Sequence, residues 1–213
     1  MSSRWIKTAL LAVTLAAPVI IYLFLQSFGE NRYQVTLYYQ QGIEEPLASC
    51  QNTSQPHQVN HLPGKNWQNT KLAPNHLDDQ LTVISLLNPA CEDHLPVLDE
   101  VARVSNNYRD DQRVQGLTLA VNAKIDVSEY QQRSAAYNLR ADNWDLILWD
   151  STTQEVVNCS LNLPDDCATS TTLVLVDGKR QIRGYYLAQD KEEVDRLITE
   201  IEILLVNGED KSN

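Results

Sequence analysis

The sequence predicts an α/β domain with a mixed central sheet flanked by helices, carried behind one N-terminal membrane-spanning helix. Three observations predict it. An uncharged apolar run lies near the start, strand-like and helical apolar spacings alternate from residue 80 onward, and the chain closes on a strand, a returning strand and a helix with one apolar face.

The anchor comes first. No charged residue lies between Lys7 and Glu30, a run long enough to cross the hydrocarbon core of a bilayer. Pro18 falls inside it, which membrane helices tolerate because neighbouring groups re-satisfy the freed carbonyl. Arg4 and Lys7 precede the run and Glu30 follows it, so the positive-inside tendency keeps residues 1–7 in the cytoplasm, spans with 8–28 and places everything after Phe28 on the non-cytoplasmic, periplasmic side. A cleaved signal peptide would have a shorter apolar region followed by small-residue cleavage geometry. Here Ser27 to Glu30 follow the run, and a cut after Ala16 or Ala17 would fall inside it.

Residues 29–78 are rich in Pro, Asn, Gln and His with a few short apolar patches such as Val35 to Tyr39, and read as a tether with a strand or two. The domain proper is expected over 79–207, with a disordered tail at 208–213. Leu81 to Leu87 is a compact β-prone run, and Leu95, Leu98, Val101, Ala102 and Val104 then recur at helical spacing over about 92–107, with acidic residues in the first turn. Gly116 to Val121 reads as a second strand. Asp126 and Glu129 form a capping box for a helix to about Asn138, and Trp144 to Trp149 reads as a third strand. Leu173 to Asp177, a turn at Asp177 and Gly178, and a return over Gln181 to Leu187 make a hairpin. Asp190 caps the last helix, with Glu193 three residues on and Val194, Leu197, Ile198, Ile201 and Leu205 on one face. A βαβ unit, a further helix and a terminal ββα unit together describe a thioredoxin-like arrangement.

Composition narrows the function classes. The formal charge of −11 comes without a basic stripe, so nucleic acid is not an expected partner. The 43% apolar content supports a packed core. No GxSxG elbow, HExxH pair or Gly-rich phosphate loop is present, which argues against a hydrolase or nucleotide-binding enzyme. The four cysteines, Cys50, Cys91, Cys159 and Cys167, form no CxxC pair. In an oxidising compartment Cys159 and Cys167 could close a small loop across the turn-rich stretch between them, the candidate disulfide. Trp144 and Trp149 read as packing residues. Asn52 and Asn158 match a glycosylation pattern that matters only in a eukaryotic secretory pathway.

The strings Ala17 to Leu25, Phe28 to Asn31, Leu173 to Asp177, Ile182 to Tyr186 and Glu193 to Ile201 resemble the Sco/SenC proteins, membrane-tethered thioredoxin-fold factors of copper delivery and thiol reduction in cytochrome c oxidase assembly. The resemblance implies a CxxxCP motif opening the first helix and a distant histidine before the penultimate strand. Two thiolates and an imidazole suit copper. This sequence reads Cys91, Glu92, Asp93, His94, Leu95, Pro96, so Leu95 stands in the second cysteine's place, and Thr169 stands in the histidine's. Asn122 replaces an acidic residue usual after the middle strand. The resemblance therefore implies a Sco-like accessory or binding protein near respiratory-complex assembly, without the family's usual copper site and with no enzymatic activity that these residues establish.

Cys91 is the remaining candidate thiol. A helix start favours its thiolate, while Glu92 and Asp93 oppose it. It is a reactive single thiol, an inert remnant or a partner for Cys50. Cys91 and His94, three apart on one helix, are the weak candidates for a residual copper site, with His94 otherwise a solvated surface residue. His57, His61 and His76 are expected on the surface of the tether, from which one could reach Cys91.

Overall fold

The computed structural model describes residues 3–28, 34–44, 50, 55–60, 62, 64–66, 68–87, 94–120, 127–136, 143–148, 154–163 and 171–209. These belong to two units, 1–34 and 35–213. The first consists of helix α1, Ser3–Phe28, which continues through Pro18. Trp5–Phe24 within it is 20 residues of mean hydropathy 2.0. By length and composition this helix can cross a membrane, as an anchor or as a signal sequence.

The second unit is built on a six-stranded sheet: β1 Lys65–Asn66, β2 Leu81–Leu87, β3 Val114–Ala120, β4 Trp144–Leu148, β5 Thr172–Val176 and β6 Ile182–Leu187, in the order β1-β4-β3-β2-β5-β6. Strands β2, β3 and β4 are parallel, with Leu81 beside Val114 and Gly116 beside Trp144. Strands β5 and β6 form an antiparallel hairpin that joins β2 antiparallel. This is the mixed sheet the spacing predicts. Among the described residues four helices accompany it: α2 His94–Asn107, α3 Val127–Ala136, α4 Gln154–Leu161 and α5 Lys191–Glu209.

The expected elements agree with these to within a few residues. Helix α2 is described from His94, and Glu92 and Asp93, expected in its first turn, lie outside the described residues. Asp126, half of the expected capping box, lies outside the described residues. At α5 the cap is real: the Asp190 carboxylate accepts the Glu192 amide at 2.9 Å, and the Asp190 carbonyl accepts the Val194 amide. The Glu193 carboxylate accepts from Arg196.

Alternation along the strands sends two apolar sets to opposite faces. Leu81, Val83, Leu173, Leu175 and Tyr186 pack under Val97, Val101 and Val104 of α2 and Val194, Leu197 and Ile201 of α5. The Arg103–Asp195 ion pair at 2.7 Å and the Tyr108 hydroxyl donating to the Ile198 carbonyl at 2.8 Å tie the two helices together. On the same face Trp144 Nε1 donates to the Thr118 hydroxyl at 2.9 Å, which in turn shares a 2.9 Å hydrogen bond with Ser85. Gly116 makes room for that indole. A Cβ there would stand 2.1 Å from ring carbons.

The opposite face corrects an expectation. Ile84, Leu86, Leu117, Leu119, Ile147, Val174 and Val176 are covered by Val59, Leu62 and Leu77, together with Leu161 and Leu163. Val59 and Leu62 are 0% exposed. The described residues between Val35 and Leu77 therefore pack within this second unit, which begins at Val35, where a tether over 29–78 was expected. Their few apolar side chains follow no strand or helix period, so composition made them read as a tether. Their backbone is joined to the hairpin by Tyr38 N–H to Ile182 O at 3.0 Å and Val59 N–H to Arg180 O at 2.7 Å. The Arg183 guanidinium donates to the Val35 carbonyl.

Helix α4, absent from the expected elements, closes this face. It ends in a Schellman turn: Asn162 adopts φ 49°, and the Leu163 amide donates back to the Asn158 carbonyl at 3.1 Å.

Truncation of Leu62 separates a core segment from a tether. Leu62→Ala is expected to destabilise the protein by about 2–5 kcal/mol, read as a lower midpoint in urea unfolding. A midpoint unchanged from the parent chain would return residues 35–77 to the role of a linker.

Candidate functional site

Because β2, β3 and β4 run parallel, Leu87, Ala120 and Leu148 end at one edge of the sheet, where open α/β folds place their sites. Helix α2 begins at this end with His94 and Leu95, and Pro96 occupies its first turn, where a missing N–H is harmless. Strand β5 is antiparallel to β2, so it starts at the same end with Thr172, after the Thr171 carbonyl accepts the Ala188 amide at 2.7 Å. Leu87, Leu98, Ala120, Leu146 and Leu148 form an apolar floor beneath.

To this end the sequence assigned Cys91, His94, Leu95 and Thr169. The backbones of His94 and Leu95 open α2 there, whereas Cys91, Asn122, Cys167 and Thr169 lie outside the described residues. Among the described residues no three His, Cys, Asp or Glu side chains are grouped as metal ligands.

The cysteines supply the second feature. Cys159, near the end of α4, is bonded to Cys50, with their Cα atoms 5.3 Å apart and a separation of 109 in sequence. This corrects both the expected Cys159–Cys167 loop and the alternative pairing of Cys50 with Cys91. Loop chemistry weighed only the residues between nearby cysteines. What decides the pairing is the tertiary fold: Val59 and Leu62 lie on the sheet face that Leu161 of α4 also covers, and Cys50 stands within bonding geometry of Cys159.

Beside this bond the last turn of α4 presents carbonyls that its own helix cannot satisfy. His57 Nε2 donates to the Ser160 carbonyl at 2.8 Å, and the Tyr185 hydroxyl donates to the Leu161 carbonyl at 2.7 Å. Asn162 Nδ2 donates to the Tyr39 hydroxyl at 3.0 Å. His57 is 1% exposed and meets the Tyr39 ring edge-on. Its expected surface position is thus corrected. His76 is half-buried with Nδ1 against the Ala73 carbonyl at 2.7 Å, and His61 lies outside the described residues.

Burial lowers the pKa of His57 from its ordinary value, and the Ser160 hydrogen bond offsets only part of that effect. The Tyr185 phenol is pushed far up by burial and then by Tyr39, so it serves purely as a hydrogen-bonding group. Between Tyr39, Asn162, Leu163, Thr172, Tyr185 and Leu187 lies a cleft of about 290 Å³ with a mostly apolar lining, adjoining the sheet end where β5 starts. The arrangement offers a disulfide, a neutral imidazole and an uncharged aromatic cleft. The signals for it in the sequence were slight: Val156, Val157 and Leu161 followed by Asn162, and the Tyr38-Tyr39 pair.

The imidazole makes stability depend on pH. The unfolded chain protonates His57 near its ordinary 6.5, the folded chain only at lower pH. This contribution is intact above pH 6.5 and declines as the pH falls below it, by at most about 1.4 kcal/mol per unit. Between pH 7 and 5 the urea midpoint is expected to fall less steeply in His57→Gln than in the parent chain. Equal slopes would contradict this role for the buried imidazole.

No family model matches the sequence, and no curated protein matches it closely. Solved structures do share its fold. BsSco, a Sco family cytochrome c oxidase assembly protein with a disulfide switch, superposes with a TM-score of 0.57 at 16% identity, covering 76% of this chain and 96% of that one. A SCO1/SenC family lipoprotein from Bacillus anthracis gives 0.54 at 14% identity, over 76% and 98% of the two chains. A protein disulfide isomerase homologue from Bacteroides thetaiotaomicron gives 0.56 at 12%, over 73% and 92%. At these identities the likeness is one of fold: this chain carries the thioredoxin-like fold that Sco/SenC proteins share with thiol–disulfide proteins.

Proposed function

We propose that the chain is a membrane-anchored accessory or binding protein of the Sco type, its domain on the non-cytoplasmic side, serving cytochrome c oxidase assembly without the family's usual copper site. One observation carries this reading. The fold covers nearly the whole of the Sco neighbours, while Leu95 and Thr169 stand where the resemblance puts two of the three copper ligands. The residues present do not fit the metal: Leu95 has no donor atom, and the neutral Thr169 hydroxyl is a poor match for soft Cu(I). Cys91 and His94 alone would leave the ion under-coordinated.

The remaining parts agree with an anchored module. Helix α1 has the length of a single span, and Arg4 and Lys7 favour a cytoplasmic start. Assembly proteins of the respiratory complex are the partners in this reading. The test is copper retention by the full chain in detergent after competition with a Cu(I) chelator. Less than one equivalent in ten is expected to remain. Leu95→Cys combined with Thr169→His is expected to raise retention toward one equivalent. Stoichiometric Cu(I) uptake by the parent chain, abolished in Cys91→Ser, would contradict the proposal.

A single-thiol redox role for Cys91 is the second reading, favoured by its place three residues ahead of α2 and by the disulfide isomerase homologue among the neighbours. It requires a thiol pKa below the roughly 8.5 of free cysteine. Glu92 and Asp93 oppose that. The rate of Cys91 alkylation against pH is expected to give a midpoint at or above the free value, and a midpoint below about 7.5 would favour the redox role instead.

A further inference from the structure

We propose that Cys50–Cys159 is an exchangeable dithiol–disulfide couple that latches residues 35–62 onto α4, and that a dithiol reductant opens this latch while the sheet stays folded. The couple does not involve Cys91, so it stands apart from either reading of that thiol.

Three observations carry the proposal. The bond joins Cys50, ahead of β1 in sequence, to the end of the eight-residue helix α4, whose Leu161 covers one face of the sheet together with Val59 and Leu62. Both cysteines are half-buried, whereas His57, Ser160 and Leu161 near them are fully buried, so the bond lies at the margin of the core and not within it. The strand ladders do not run through the joint. The hydrogen bonds of β2 to β3 and β5 stand without it, while the joint itself rests on His57 to Ser160, Asn162 to Tyr39 and the packing of Val59 and Leu62. Loss of the bond therefore loosens one cover before it loosens the sheet.

The exchange balances. A thiolate of the reductant attacks one sulfur of the pair and forms a mixed disulfide. The S–S bond breaks, and its electron pair leaves on the other sulfur, which takes up a proton. The reductant's second thiol, giving up its proton, then attacks the mixed disulfide, frees the first cysteine and closes the reductant's own disulfide. Two electrons and two protons pass from the dithiol to the Cys50/Cys159 pair.

The experiment equilibrates the full chain in detergent with mixtures of reduced and oxidised dithiothreitol. It reads alkylation of each cysteine by peptide mass spectrometry and amide hydrogen exchange in the same samples. Cys50 and Cys159 are expected to become alkylated together without denaturant. Exchange at Val59, Leu62 and 160–163 is expected to rise at least tenfold, with Val83, Ile84 and Leu175 unchanged. Cys91→Ser is expected to leave both responses as they are, and the Cys50→Ser, Cys159→Ser double variant to show the reduced pattern without reductant. Should that variant fail to fold, reduction of the parent chain decides the matter. Alkylation that requires denaturant, reduction with no local change in exchange, or a rise shared equally by β2 and β5 would each overturn the proposal.

Discussion

Strand β2 is buried along all seven of its residues, and the rest of the domain is arranged to keep it so. A strand with apolar side chains on both faces needs a cover on each, since every exposed Leu, Ile or Val would forfeit about 1.5–3 kcal/mol of burial. One cover is regular. Helices α2 and α5 satisfy their own backbone groups and need only lay an apolar stripe on the sheet. The other cover comes largely from chain with little secondary structure, whose backbone must find partners elsewhere. It finds them on the β5–β6 hairpin and at the end of α4, and a covalent bond holds it there.

That asymmetry explains what the sequence disclosed. The strands and long helices were legible because period-2 and period-3.6 apolar patterns declare which side of an element is buried. Asp190 and the Asp177-Gly178 turn were legible because capping and turn chemistry are local. Val59, Leu62 and Leu77 were not, since isolated apolar residues among Pro, Asn and Gln have no period and acquire meaning only when a sheet face meets them. Helix α4 was hidden for a related reason: its eight residues are too few to set up a pattern. Disulfide connectivity across 109 residues is a property of the fold, and no spacing rule reaches that far.

The expected site divides along the same line. The scaffold that would position it is present: parallel strands ending together, a helix opening with His94 and Leu95 just beyond, and the hairpin strand starting beside them over an apolar floor. In the proposed reading, the residues that would give it copper chemistry are replaced by Leu95 and Thr169. Fold and site can diverge in this way because the floor and the ladders depend on aliphatic volume and register, neither of which involves the ligand positions. Meanwhile the one disulfide among the described residues lies elsewhere, in the joint between the irregular cover and α4.

That joint is the central claim, and its covalent connectivity tests it most directly. Proteolysis of the unreduced chain, with free thiols blocked beforehand, followed by mass spectrometry of the linked peptides, is expected to give one pair joining the peptide of Cys50 to that of Cys159. A pair joining Cys159 to Cys167, or Cys50 to Cys91, would contradict the account and detach residues 35–62 from α4.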